Sequence, residues 1–268
     1  MRSTLLCCLL YLAAPCAMAV TDALSIVLPD TRVSFDASEL AAALSVHTIS
    51  QDDPLYGRRM VFDAYALADI LALAGGTATA GDDLVFTAAD GYAPTVPRAT
   101  LALHPAYVAF REHGNPRRFD PVAQGKTTVS PAPYYLVWGD GQDSHDTLPR
   151  PYQLVSIEVV DVALRYAALL PGTLPATAPA MQGLTLFRVH CLRCHAINQV
   201  GGDMGPELNV PKNVTEYWAA NTLRAFIRDA SAFHARSKMP SFASVLGDAD
   251  IEHLLAYLEA MKARKRAP

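Results

Sequence analysis

The stretch HCLRCHAINQVGGDMGPELNVP, residues 190–211, holds Cys191, Cys194 and His195 as C-x-x-C-H. Three chemistries use a close cysteine pair: a covalently attached haem, a structural zinc ion and a redox disulfide. On a helix, two cysteines three apart present their sulfurs on one side, about one turn apart. That spacing suits thioether bonds to the two vinyl groups of a haem, and the next residue, His195, then stands where it can ligate the iron. Upstream, Gly183, Leu184 and Phe187 recur with Cys191 and Cys194 at spacings that put the anchors and the apolar residues on one helix face. A zinc centre needs four ligands, commonly including a second Cys or His pair. The chain offers His190 beside Cys191, and His234 and His253 standing alone. A thioredoxin-like dithiol follows a strand in a βαβ pattern, whereas this pair lies in a segment that reads as helical. The spacing therefore favours a single covalent haem c.

The other cysteines sharpen that reading. The chain begins MRSTLLCCLLYLAAPCAMAV, with one positive charge at Arg2, an apolar run, and Ala17-Met18-Ala19. Residues 1–19 read as a secretory signal peptide cut before Val20. The apolar run is short for a membrane anchor, and a lipoprotein reading through Cys16 meets Pro15 directly before it. Cys7, Cys8 and Cys16 leave with this segment, so the exported protein keeps only Cys191 and Cys194. In an oxidising compartment a lone close pair is a disulfide unless something else consumes both thiols. The expected location is the periplasm, with no stable membrane insertion after cleavage.

With 268 residues, 51% of them hydrophobic and 18% charged, the chain has a soluble globular composition and the length for two small domains or one large one. Residues 20–166 mix strand and helix patterns, which predicts an α+β domain. LSIVLPD (24–30) alternates and stops at Pro29-Asp30. Asp36 and Glu39 have the spacing of a capping box before a helix. MVFDAYALADILALAGG (60–76) reads as a strand and then a helix halted by Gly75-Gly76. DDLVFTAADGYAPTV (82–96) holds two strand-like runs around Asp90-Gly91, a hairpin signal. YYLVWG (134–139) and YQLVSIEVVDVAL (152–164) supply further strands. Residues 167–180, rich in Pro and small side chains, read as a linker. Residues 181–268 read as helical. Charge divides at the same place: residues 20–180 carry a net −8 and residues 181–268 a net +3, with four basic residues in the tail KARKR. That tail reads as a solvated helix end, and nothing in the pattern points to nucleic acid.

Residues 181–262 resemble the class I cytochrome c domain. GPEL (205–208) is similar to that family's G-P-x-L, and KMPSF (238–242) to its Met-Pro loop. The resemblance implies that the Pro206 carbonyl accepts a hydrogen bond from His195 Nδ1, which fixes the imidazole and raises its basicity. It implies His195 and Met239 as the two axial iron ligands, an arrangement that raises the potential and leaves no open coordination position. It also implies a crossing of first and last helices, Gly183 and Phe187 against Leu254 and Tyr257, with Asp248 as N-cap of the last helix. Leu223, Phe226 and Ile227 read as a middle helix packing on the haem. Met204, in GGDMGPEL, competes for the sixth position but lies close in sequence to His195.

The stretch from 24 to 163 resembles the molybdopterin-binding domain of sulfite-oxidase-like enzymes. DPLYGRRMVFDAYALADILALAG (53–75), LVFTAADGY (84–92), APYYLVWGDGQD (132–143) and PRPYQLVSIEVV (149–160) carry the likeness. Those enzymes hold molybdenum through a cysteine thiolate, and this stretch contains no cysteine. The resemblance therefore implies an inherited scaffold without molybdopterin. Arg58, Arg59, His104, Arg117 and Arg118 read as solvated charges. Asp52-Asp53, Asp82-Asp83 and Asp140/Asp143/Asp146 read as hydrated acidic loops.

The expected architecture is an α+β, sulfite-oxidase-like accessory domain without cofactor, followed by an all-α cytochrome c domain. The expected function is one-electron transfer between a partner, such as a dehydrogenase or molybdenum oxidoreductase, and a respiratory acceptor. Two rivals remain at this level: an oxidoreductase whose first domain keeps a cofactor and feeds its own haem, and a haem sensor in which Met239 is labile.

Overall fold

The computed structural model describes residues 22–76, 82–124, 127–139 and 148–266. The segment read as a signal peptide and the acidic group Asp140/Asp143/Asp146 lie outside the described residues. Among the described residues, no helix is long and apolar enough to cross a membrane.

The chain opens with β1 (Leu24–Leu28) and β2 (Thr31–Phe35), an antiparallel hairpin. Asp36 then caps α1 (Ala37–Ala43). Its carboxylate accepts from the Ser38 and Glu39 amides while Glu39 accepts from the Asp36 amide, so the reciprocal cap expected from the sequence forms. Next come β3 (His47–Asp53), β4 (Arg58–Ala66) and α2 (Leu67–Leu73). The Gly75 and Gly76 amides close α2 by donating to the Ala72 and Leu71 carbonyls. Then follow β5 (Asp82–Ala88), β6 (Thr95–Pro97), α3 (Arg98–Leu103), β7 (Ala106–Glu112), β8 (Val122–Gln124), β9 (Thr127–Val129), β10 (Tyr135–Trp138), β11 (Leu154–Asp161) and α4 (Val162–Ala167).

Two larger sheets result. One has five strands in the order β2-β1-β11-β5-β6, the other four in the order β10-β7-β4-β3. The late strand β11 pairs parallel with β1 and antiparallel with β5, so it locks the beginning of the domain to its middle. Alternation along β5 explains how this sheet is shared. Leu84 and Phe86 enter the core between the sheets with Ile26, Ile157, Val108, Leu136 and Trp138. Val85 points the other way, beside Ala93 and Val160. Each fully buried Leu, Ile or Phe contributes on the order of 1.5–3 kcal/mol relative to exposure.

Several charges that read as solvated are built into this domain. Asp53 is buried and takes hydrogen bonds from the Tyr135 hydroxyl (3.0 Å) and Gln51 Nε2 (2.7 Å). Asp83, on β5, is also buried and accepts from the Tyr166 hydroxyl. Arg118, at φ 72°, donates to the Phe110 and Pro133 carbonyls and to Asp22. Arg117 and Arg59 make exposed surface pairs with Asp120 and Asp52 and remain solvated, as read from the sequence. An acidic doublet looks the same in sequence whether it is hydrated or partnered, and at Asp53 and Asp83 partners tip the balance.

The C-terminal part is mainly helical. It contains α5 (Pro179–His190), a minimal hairpin β12 (Ala196–Ile197) and β13 (Val200–Gly201), α6 (Ala220–Arg228) and α7 (Asp248–Met261), with single 3-10 turns at 214–216, 230–232 and 262–264. The expected purely helical reading misses the hairpin, because its two-residue turn is made by Asn198 and Gln199 at φ 53° and 66° rather than by glycine. Gly247, not Asp248, is the N-cap of α7. Asp248 is the first helical residue, and Asp250 reaches back to the Gly247 amide at 2.9 Å.

Helices α5 and α7 cross at Gly183, where a side chain would collide with the His253 carbonyl and the Tyr257 Cβ. Phe187 and Tyr257 meet there with ring centroids 5.3 Å apart. Residues 167–180 are joined to this core at their start. Leu169 is fully buried in it with Tyr166, and the Leu169 carbonyl accepts from the Tyr257 hydroxyl at 3.0 Å.

Candidate haem site

Helix α5 ends at His190, and Cys191, Leu192 and Cys194 follow in a tight turn. The amides of Cys191 and Leu192 donate back to the Phe187 carbonyl, and those of Cys194 and His195 to the Cys191 carbonyl. This continuation of the helical hydrogen-bond pattern keeps the three motif residues together. All three line one cavity of about 770 Å³, within the roughly 300–1,000 Å³ range of small-molecule and cofactor pockets. The other lining side chains are largely apolar: Phe187, Leu208, Val214, Leu223, Phe226, Ile227, Phe242, Leu254 and Leu258 among them. Met239 and Pro206 line the same cavity, so the structure brings together every residue that the sequence singles out as anchor, ligand or ligand support.

His195 Nδ1 lies 2.8 Å from the Pro206 carbonyl oxygen. A carbonyl only accepts, so Nδ1 carries the proton and Nε2 is left with its lone pair. Burial lowers the His195 pKa below its ordinary value, with the Pro206 contact pulling weakly the other way. Burial thus favours the neutral ring, the form in which imidazole ligates metals. Gly205 makes room for it, since a β-carbon there would overlap the imidazole.

The two thiols are poor acids in this setting. Burial pushes Cys191 up to about 12, with Cys194 nearby adding to the effect. Burial also raises Cys194. Neither is in a disulfide.

Met239 follows Ser237, whose hydroxyl accepts the Met239 amide at 3.1 Å, and precedes Pro240. Its side chain packs against the helical core. Met204 also lines the cavity, with its sulfur 3.9 Å from Cys194 Sγ. Of the isolated histidines, His190 borders the cavity and stacks edge-on toward Phe242, while His234 and His253 do not line it. Among the described residues, no group of three or more His, Cys, Asp or Glu side chains is arranged to hold a metal ion. A four-ligand zinc centre therefore finds no ligand set there.

Three features of the site carry no clear signal in the sequence. Glu207, the variable position of G-P-x-L, accepts four backbone amides: Asn198, Asn209 and Val210 on Oε1 and Gln199 on Oε2. It ties the β12–β13 turn to the segment after Pro206. Asn198, Asn209 and Asn213 form a buried ladder beneath it. Finally, Asp90, Tyr92, Arg150, Pro151 and Tyr152 of the N-terminal part also line the cavity. The Asp90-Gly91 signal marks a turn, but nothing local says what the turn faces. By contrast, Arg58, Arg59, His104, Arg117 and Arg118 do not line this cavity.

A family model described as "Cytochrome C oxidase, cbb3-type, subunit III" matches residues 178–258. The similarity is of the cytochrome type and spans the helical part alone, from the start of α5 into α7. No curated protein matches the chain.

Proposed function

We propose that the chain is an exported, periplasmic electron-transfer protein whose C-terminal part is a class I c-type cytochrome domain. Cys191 and Cys194 would hold haem c covalently, and His195 and Met239 would ligate its iron. The observation that carries this reading is the convergence of C-x-x-C-H, the Pro206-held His195 and Met239 on one largely apolar cavity. The cytochrome-type family similarity over residues 178–258 supports it.

A bound haem supplies a one-electron ferric–ferrous couple, whose potential depends on the axial ligands, nearby hydrogen bonds and burial. The chain's own residues do the rest. The half-buried cysteine pair would anchor the group. The Pro206 carbonyl orients His195 and makes Nε2 a stronger donor. Met239, held in its loop by Ser237 and Pro240, offers a soft thioether. Leu223, Phe226 and Ile227 of α6 and Leu254 and Leu258 of α7 exclude water from the cavity walls. The partners fitting this chemistry are one-electron donors and acceptors, such as a dehydrogenase or molybdenum oxidoreductase on one side and a respiratory acceptor on the other. The N-terminal part, lacking a cysteine ligand, serves as a scaffold without molybdopterin.

The test is direct. Produced in a host that matures c-type cytochromes, the protein retains its haem through acidified organic extraction, and Cys191→Ala/Cys194→Ala abolishes that retention. Met239→Ala removes the methionine–iron charge-transfer band at the red end of the spectrum, whereas Met204→Ala leaves it. Colour that is extracted from the unaltered chain, or a band that depends on Met204, overturns the assignment. Metal analysis giving stoichiometric molybdenum rejects the cofactor-free scaffold.

A further inference from the structure

The N-terminal part meets the cavity through two segments. The first is the hairpin turn between β5 and β6. The Gly91 carbonyl accepts the Asp203 amide at 3.0 Å, and the Ala93 amide donates to the Arg193 carbonyl at 2.7 Å. Arg193 lies between Cys191 and Cys194, so this turn is fastened to the middle of the attachment motif. The approach depends on glycine on both sides. Gly91, at φ +85°, has no room for a β-carbon because the Asp203 carboxylate and the Met204 amide stand there. Gly202 likewise faces the Arg193 and Gly91 carbonyls. The Tyr92 hydroxyl lies against the Arg193 guanidinium, and burial raises its pKa while Arg193 opposes the rise. The second segment is Arg150-Pro151-Tyr152, just before β11, which contributes to the cavity lining beside Ala88.

On the far side of the same junction, Arg188 of α5 stacks on the Tyr166 ring at 4.0 Å, and the Tyr166 hydroxyl donates to the buried Asp83 carboxylate at 3.3 Å. The two parts are therefore pinned on both flanks of the Cys191–Cys194 turn.

We infer that the N-terminal domain is the outer wall of the haem site: the Asp90–Ala93 turn and the Arg150–Tyr152 segment permanently cover the edge of the haem that the cysteines anchor. This rests on the reading of the cavity as a haem site. Two consequences follow from elementary electrostatics. Ferric haem carries one more positive charge than ferrous haem, and excluding water disfavours the more charged state, so the wall raises the potential. It also denies that edge to redox partners, which must approach from the rim where Tyr217 and Lys238, both exposed, line the cavity. The accessory domain thus gives the cytochrome its environment and its selectivity.

The experiment uses the full chain with haem content measured first. Because Ala93, Asp203 and Phe86 all donate to backbone carbonyls, the expected result in the unaltered protein is amide exchange at Ala93 and Asp203 as slow as at Phe86. Gly91→Val forces the turn off Asp203, releases both amides to fast exchange and lowers the midpoint potential. Tyr152→Ala leaves the amides protected but thins the wall, so the potential again falls and reduction by dithionite accelerates several-fold. The proposal is overturned if Ala93 and Asp203 exchange at loop rates in the unaltered chain. It is also overturned if both variants keep its potential and reduction rate. A chain that holds no covalent haem after maturation overturns the haem reading and this proposal together, whereas a normal haem with an unprotected Ala93 overturns only the wall.

Discussion

Gly183 of α5 stands directly against the backbone of His253 in α7, and the Tyr257 Cβ, one turn on, lies 2.7 Å from where a β-carbon would fall. The two helices that frame the cavity are therefore in backbone contact, and the Phe187–Tyr257 ring pair sits in the same crossing. Any side chain at 183 has to push the helices apart. Gly183→Ala is expected to destabilise the protein by about 1–3 kcal/mol, the usual range for overpacking a tight core, and Gly183→Val by more. Urea unfolding followed by far-ultraviolet circular dichroism reads the loss. A Gly183→Val protein as stable as the parent would mean that the helices do not touch there.

The Gly205–His195 contact makes a more local prediction. A β-carbon at 205 overlaps the imidazole, whose Nδ1 is held by the Pro206 carbonyl. Gly205→Ala should tilt the ring off its hydrogen bond and weaken its ligation, while leaving helix content unchanged. The expected result is a high-spin component in the absorption and electron paramagnetic resonance spectra of the oxidised protein. A purely low-spin spectrum with unchanged potential would show that neither glycine nor carbonyl positions the ring.

Features confined to a few consecutive residues are legible in the sequence. The Asp36–Glu39 capping box, the Gly75-Gly76 stop and the hairpin around Asp90-Gly91 all form as expected, because each depends on local geometry alone. The C-x-x-C-H motif reaches the cavity for the same reason, and Met239 is placed there through a family likeness. What the sequence hides depends on distant partners. That β11 lies between β1 and β5 follows from which faces are apolar once three separated strands are assembled, which no single strand encodes. Asp53 reads as hydrated, yet Tyr135 and Gln51 bury it. Arg150 and Tyr152 belong to a cavity made chiefly by another part of the chain, and contacts across a domain junction leave no periodic trace in sequence.

The asparagine ladder is the largest polar feature of this hidden kind. Asn209 Nδ2 donates to Asn198 Oδ1 (2.8 Å), and Asn213 Nδ2 donates to Asn209 Oδ1 (2.7 Å) and the Leu258 carbonyl (2.9 Å). Asn198 Nδ2 in turn donates to the Ala168 and Arg264 carbonyls, both at 2.9 Å. Asn209 and Asn213 are fully buried. The ladder thus joins the start of the 167–180 segment, the loop after Pro206 and the end of α7. Removing its centre leaves two buried partners short of a hydrogen bond, so Asn209→Ala should cost about 2–4 kcal/mol. Because the groups act in series, the Asn209→Ala/Asn213→Ala double variant should cost less than the sum of the singles. Strictly additive losses in a double-mutant cycle would dissolve the ladder into independent contacts.

Asp63 gives the N-terminal domain a pH dependence whose sign follows from its partners Arg111 and His113. It sits on β4, 3% exposed, with Arg111 Nε at 2.6 Å and His113 Nδ1 at 2.7 Å, both from the neighbouring strand and its end. Burial by itself raises the carboxyl pKa, but the hydrogen bonds and charges of His113 and Arg111 outweigh it and hold the group below the reference 3.8. A folded-state value below the unfolded one means that the carboxylate's contribution is complete above 3.8 and is lost as pH falls through the folded value. The melting-temperature gap between the parent and Asp63→Asn should therefore hold steady from neutral pH down toward 3.8 and close below it. A gap that stayed fully open well below 3.8 would sink the carboxylate account.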